Sequence, residues 1–295
     1  MQKDPTFTGS LKDSHEGTKR TPKKKIRYGK LAYSTLNWIL ILSFLTVILG
    51  MTLVVFLSAF GKEWYGTVFP QGYTLEWFKQ AWSAYEIGAY YKITLQIVVT
   101  ATIISLVLSI PTAYILARRD FAFKDALIGF FQLPFTLPEL VYAVPVASIF
   151  YSIGLAETIT GLILVNLIIG IPFSVFLLIP FIESLDPRLE WAAQSLGAGK
   201  YKMFTRIIVP QLVPGITTAA INIFIRMFST FTIILLISGP STQTLPVLVF
   251  SVLQGSGTQP PAMLNSLALT LMIPLLFFAF ISLWLSAYAQ KRLGK

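Results

Sequence analysis

The sequence predicts an all-α, polytopic membrane protein with six transmembrane helices. Three observations carry this. First, the 295 residues are 55% hydrophobic and only 12% charged, about half the charge of an ordinary soluble domain, which is near 25%. Second, the charge is missing in blocks. Residues 31–61 hold none over 31 positions, and 93–117 and 158–182 hold none over 25 positions each. A helix needs about 20 mainly apolar residues to cross a bilayer. Third, the basic residues cluster. Nine Lys/Arg lie in 1–30, three in 118–124, four in 183–206 and three in 291–295, which is 19 of 23. These segments alternate with the apolar runs as the loops on one side of a membrane would, and a Lys/Arg excess marks the cytoplasmic side. The pattern excludes a soluble enzyme, a disordered chain and a nucleic-acid module. The net charge of +10 is a topology signal rather than a footprint for nucleic acid.

Taken in order, residues 1–30 read as a basic, disordered cytoplasmic tail that touches anionic lipid. The one histidine, His15, lies there and reads as a solvated residue. The tail is not a signal peptide, because the first apolar stretch begins near Leu36 and is too long for an h-region. Residues 31–295 read as the transmembrane domain. Its spans fall at about 36–60, 92–117, 125–151, 158–182, 211–237 and 263–287. Six spans place both termini in the cytoplasm. The opposite side, 61–92 and 238–262, carries only Lys62, Lys79 and Lys92 as basic residues. Its Trp64, Trp77, Trp82 and neighbouring tyrosines suit a membrane–water interface. Pro134, Pro138 and Pro145 break the third span. Proline removes an intrahelical bond, which lipid tolerates only where neighbours satisfy the freed groups, so this span faces the bundle interior. With no cysteine there is no thiolate metal site or disulfide.

The loop between spans four and five, from Glu183 to Arg206, is the most informative segment. Asp186 is a good N-cap and Pro187 suits a first helical position. Leu189, Ala192, Ala193 and Leu196 recur at i, i+3, i+4 and i+7, and Gly197 supplies a stop. These predict a short amphipathic helix with Glu190, Trp191, Gln194 and Ser195 on the face opposite the apolar stripe. A second short segment, Tyr201–Ile208, leads to Pro210. Trp191 on a polar face leaves two readings, packing on a neighbouring loop or headgroups, and contact with a partner protein.

Within this loop Glu190-Trp191-Ala192-Ala193, then Gly197, then Ile207-Ile208-Val209-Pro210 resembles the EAA loop of permease subunits from bacterial and archaeal ABC importers. The family pattern is E-A-A, three residues, G, nine residues, I-x-L-P. Ala192, Ala193, Gly197, Ile207 and Pro210 fall at the matching spacing. Trp191 stands at the family's glutamate, with Glu190 just before it, and Val209 replaces leucine. The likeness runs from about Tyr73 to the C-terminus, including Thr74–Phe78 and Leu116–Phe121. It implies a subunit forming half of a solute pathway with a second permease, identical or paralogous. It further implies a coupling loop at about 183–210 that docks on a cytoplasmic ABC ATPase dimer, which uses the ATP and Mg, and an extracytoplasmic binding protein that delivers the solute. No cofactor or metal belongs to the chain itself, and no catalytic residue is assigned. Gly197-Ala198-Gly199-Lys200 fails as a phosphate loop, with Gln194 where glycine is required and Tyr201 after the lysine.

Four residues inside spans are pathway candidates. Arg226, mid-span by this reading, costs about 2.5–3.5 kcal/mol to insert. It either braces the helices against Glu139 or Asn222 or lines the pathway toward an anionic solute. Asn166 and Asn222 are the weaker candidates, since asparagine also serves as interhelical glue. Ser238-Gly239-Pro240 and Thr244–Val247 resemble importers of polyamines, phosphonates, thiamine and ferric iron, and in part sulfate permeases. Polyamine permeases tend to carry acids where this chain has Ser229–Thr232, which with Arg226 weakens a polycation. The sequence leans slightly to polyamine or phosphonate and leaves sulfate, ferric iron, thiamine and sugar open. Other classes fare worse. A secondary transporter would want more intramembrane acids, and a channel would want a filter-like loop.

Overall fold

The computed structural model describes residues 28–64, 67, 69–255 and 259–293. The basic tail up to Arg27, with His15, lies outside the described residues. The chain divides into two compact units, Met1–Met51 and Thr52–Lys295.

Helix α1 (Tyr28–Phe60) crosses from the first unit into the second. In the first unit its side chains from Leu36 to Leu49 are mostly apolar and largely exposed, Trp38 and Phe44 among them. Such a surface is stable only against lipid or protein. In the second unit the elements are α2 (Glu76–Ala84), α3 (Ile87–Arg118), α4 (Lys124–Thr136), α5 (Glu139–Ser152), α6 (Ile159–Glu183), α7 (Arg188–Ser195), α8 (Lys200–Met203), α9 (Val209–Phe228), α10 (Thr232–Ile237), α11 (Leu245–Gln254) and α12 (Pro261–Leu293). Among the described residues five helices are long and apolar enough to cross a membrane, and six spans result when α4 and α5 count as one. The predicted all-α membrane architecture is therefore found.

Three departures from the expected spans have identifiable causes. The third span is broken, as its prolines suggest, but at one point and sharply. Its halves α4 and α5 meet at 98° across Leu137-Pro138, because Pro138 bars Leu137 from helical backbone and Leu137 sits at ψ 137°. The fifth span starts earlier and stops sooner than 211–237. It runs Lys200–Phe228 through a π-turn at Phe204–Ile208. Pro210 cannot donate to the carbonyl four residues back and crowds it, and widening the preceding turn relieves the clash. Its other end breaks at Ser229–Phe231, where the Ser229 and Thr230 hydroxyls donate to the Arg226 carbonyl at 3.1 Å each. Third, the outer segments contain helices α2 and α11 that the hydropathy pattern does not announce.

The core of this unit is α3 against α6 and α9, with α12 packed on α9. Close approach is set at Gly170 of α6, where a Cβ would sit 2.0 Å from the Met227 methyl and 2.6 Å from Ser105 Oγ. Small residues let membrane helices pack by van der Waals contact where no hydrophobic force separates them from lipid. The short helices α10 and α11 are each capped by another element. Glu139 Oε1 accepts from the Ile233 N–H at 3.2 Å, and Thr94 Oγ1 accepts from the Leu245 N–H at 2.9 Å. Helix N-termini leave four donors unsatisfied, so each of these bonds satisfies one of them and ties a short helix to a neighbouring element.

Candidate functional site

The loop joining α6 to α8 folds as a short helix for the local reasons the sequence suggests. Asp186 Oδ1 accepts from the Arg188 N–H at 2.9 Å, satisfying one of the orphan donors. Pro187 opens the first turn, and its carbonyl accepts from the Glu190 N–H at 3.0 Å. Gly197 ends the helix at φ +75°, a conformation that costs any residue with a Cβ, and the Ala198 N–H closes back on the Ala193 carbonyl at 3.0 Å.

The helix is rotated relative to the predicted apolar stripe. Of Leu189, Ala192, Ala193 and Leu196 only Ala193 is buried, and Leu196 is 88% exposed. The buried face is Glu190, at 9% exposure, together with Ala193. Electrostatics overrides hydrophobic patterning here. Glu190 Oε2 accepts from the Tyr114 hydroxyl at 2.7 Å, and Glu190 Oε1 lies 3.1 Å from Arg118 Nε in an ion pair. Arg118 also donates to the Leu185 carbonyl at 2.5 Å. The Tyr114 bond is charge-assisted, a kind about twice as strong as a neutral one. The Glu190 contact with Arg118 is an ion pair without hydrogen-bond alignment, since Arg118 Nε and Glu190 Oε1 have no hydrogen-bond partner among the described residues. Together the two turn this helix face inward. The opposite face then points away from the protein. Trp191 is 64% exposed and Tyr201 80%. Ala192 and Pro210 are exposed and Ile207 half-buried.

Among the span residues, two readings were left open for Arg226, and the described residues hold no ion pair or hydrogen bond from it to Glu139 or Asn222. Arg226 is exposed, in the last turn of α9, and forms no ion pair among the described residues. The C-terminal end of a helix carries partial negative charge, which suits a cation there. The Glu139 carboxylate is engaged by the Ile233 N–H instead. The phenol of Tyr142 lies within electrostatic reach of both Glu139 and Arg226, so the breaks after α4 and after α9 adjoin. Asn222 donates to the Thr218 carbonyl at 2.8 Å and to Ser282 Oγ at 2.7 Å, tying α9 to α12. Asn166 is buried and donates to the Leu162 carbonyl at 2.8 Å. Only the Asn222 bond to Ser282 joins two helices. The Asn166 bond runs along its own helix and leaves Asn166 Oδ1 buried with no hydrogen-bond partner among the described residues.

Sequence reasoning missed Tyr114 as the partner of Glu190. The signal that could have found it is the i, i+4 spacing of Tyr114 and Arg118 on one face at the end of a span. It also missed Thr94, whose hydroxyl looks like any span threonine until α11 is known to be a helix. Among the described residues no group of three or more His, Cys, Asp or Glu is placed to hold a metal ion.

Comparison with known proteins agrees with this geometry. Residues 105–295 match the family described as the binding-protein-dependent transport system inner membrane component. The molybdenum transport system permease protein ModB of Haemophilus influenzae is 30% identical over 221 residues, covering 69% of this chain and 95% of that one. The trehalose transport system permease protein SugB of Mycobacterium tuberculosis is 30% identical over 182 residues, covering 61% and 66%. A solved bacterial ABC transporter involved in import of the acidic polysaccharide alginate shares the fold with a TM-score of 0.71 at 14% identity, over 86% of this chain and 96% of that one. The chain belongs to the binding-protein-dependent transport system inner membrane components, the membrane-spanning permease subunits of ABC importers.

Proposed function

We propose that the chain forms half of a solute pathway across the cytoplasmic membrane of a bacterium or archaeon, with both termini in the cytoplasm. It pairs with a second permease subunit and docks a cytoplasmic ABC ATPase through the loop at 183–210, and an extracytoplasmic protein hands it the solute. The ATP and Mg belong to the ATPase. The observation that supports the docking is the division of labour on α7. Glu190 and Ala193 face inward, while Trp191 and Leu196, with Tyr201 of α8, face outward from a loop rich in Lys and Arg. Exposed tryptophan and tyrosine are the residue types that anchor protein interfaces. Trp191 fills an apolar notch on the ATPase where other family members carry glutamate. Trp191→Ala tests this. A hot-spot tryptophan is worth about 2 kcal/mol or more, a factor of about 30 in Kd, read by titrating the ATPase onto the purified permease. Unchanged affinity and unchanged solute-stimulated hydrolysis would rule the role out.

The solute in this reading is an anion. The relatives' names span molybdenum and trehalose, so relatedness does not choose among them. Arg226 does. It is exposed where two spans break and forms no ion pair among the described residues. Glu139 keeps its charge nearby but bonds the Ile233 amide rather than the guanidinium. An arginine in a span faces a partner or a water-filled path. Of the two solutes toward which the sequence leans, the phosphonate fits this charge and the polyamine does not. Sulfate belongs to the same class.

A further inference from the structure

Three elements converge at the loop-side end of α3. Tyr114 and Arg118 are one turn apart there. Both reach α7 through Glu190. Arg118 also holds the Leu185 carbonyl at the end of the α6 segment. The Tyr114 ring packs edge-on against Phe204 at 5.3 Å between centroids, inside the π-turn that opens the fifth span. Leu185, Met203 and Ile208 are buried around this point. By chain connectivity α7 is joined only to α6 and to the fifth span. Its link to α3 is made entirely by side chains.

We propose that Tyr114, Arg118 and Glu190 form a clamp that makes α3 move as one body with α7. Movement delivered to α7 from outside then reaches a third span directly, rather than only the two it is covalently joined to. The inference rests on the reading of α7 as the ATPase contact and assigns the three side chains as positioning residues. The physical argument is stiffness. A buried carboxylate that accepts a phenol's hydrogen bond on one oxygen and is ion-paired with a guanidinium at the other is costly to pull free, so sliding α7 along α3 would strand a charge. Packed elements linked in this way shift as rigid bodies rather than deform. Trp191, one residue on, is turned about 100° around the helix and is exposed, so the clamp and the docking surface share the rigid frame of one short helix.

The chain has no cysteine, so single spin labels report without background. Ser195→Cys, on the exposed face of α7, reports docking. Leu108→Cys, on the exposed side of α3, reports movement of that span. Both are measured in the assembled permease–ATPase complex, with and without ATP. The expected result is that both labels respond to ATP with the clamp intact, that Glu190→Gln lowers the response at 108 severalfold, the remainder passing through the packing of α3 on α6 and α9, and that the response at 195 persists. Tyr114→Phe keeps the ring on Phe204 and removes only the hydroxyl bond, so it tests the same link without disturbing the packing. It should reduce the 108 response severalfold. Responses at 108 that survive undiminished in both variants would overturn the clamp. Loss at 195 together with 108 in both variants would overturn it too, by showing that these residues serve docking itself. Silence at 195 with the clamp intact would overturn the docking reading, and the clamp with it.

Discussion

The Tyr114 hydroxyl lies 2.7 Å from Glu190 Oε2, joining the end of a long apolar helix to a short polar one 76 residues further along the chain. This bond decides which way α7 faces. A face chosen by hydrophobicity alone would bury Leu189 and Leu196 and expose the acid. The observed face buries the acid and presents Trp191.

Removing Glu190 should therefore be costly. Glu190→Ala leaves the Arg118 guanidinium part-buried without its carboxylate, and breaking one side of a buried pair costs about 3–5 kcal/mol. The side chains retain 15% and 11% exposure, so the lower end of that range applies. Unfolding in detergent by SDS titration measures it. Glu190→Gln can still accept from Tyr114 but supplies no charge and turns its amide donor toward the guanidinium, so it should lose most of the same amount.

Arg226→Ala should reduce uptake of the anionic solute at least tenfold while the protein folds as well as before, because the side chain is exposed and forms no ion pair among the described residues. Arg226→Lys keeps the charge but not the planar fork, and should retain part of the activity. Proteoliposome uptake of labelled anions against neutral and cationic solutes gives the measurement.

Gly170→Ala should destabilise by about 1–3 kcal/mol, the usual cost of overpacking, since the new methyl overlaps the Met227 methyl and Ser105 Oγ. The methionine end is flexible. The double variant with Met227→Ala should show a favourable coupling in a mutant cycle.

Glu139→Ala should loosen α10 rather than unfold the protein. It strips the Ile233 amide of its acceptor, and loss of an N-terminal cap costs about 1 kcal/mol. Hydrogen exchange at Ile233 and Ile234 should accelerate, with α9 unaffected. Asn222→Ala should cost a similar amount, about 0.6 kcal/mol for an average interhelical bond in a membrane protein, with the effect confined to the α9–α12 contact.

The spans were legible in the sequence because lipid imposes one rule over 20 or more residues, and runs such as 158–182 obey it without interruption. The start and stop of α7 were legible too, since Asp186, Pro187 and Gly197 act through the backbone next to them. The orientation of α7 was not. Its determinants, Tyr114 and Arg118, lie far away in sequence, and a periodicity argument has no term for a distant counter-ion. The break at Leu137-Pro138 was visible as prolines but its depth was not, because a proline in a span is compatible with a kink of any size. Arg226 stood out as the one charge in its span. That it would be exposed beside a helix break, with Glu139 engaged elsewhere, depends on α10 being a separate helix, and α10 is too short for hydropathy to resolve.

Reconstitution of the permease with its ATPase and binding protein in liposomes is the most direct test of the central claim, with uptake of an anionic solute followed with and without ATP. The account predicts accumulation that requires ATP, the ATPase and the binding protein together, and that fails when Trp191→Ala weakens docking. Uptake by this chain alone in the absence of ATP would contradict it.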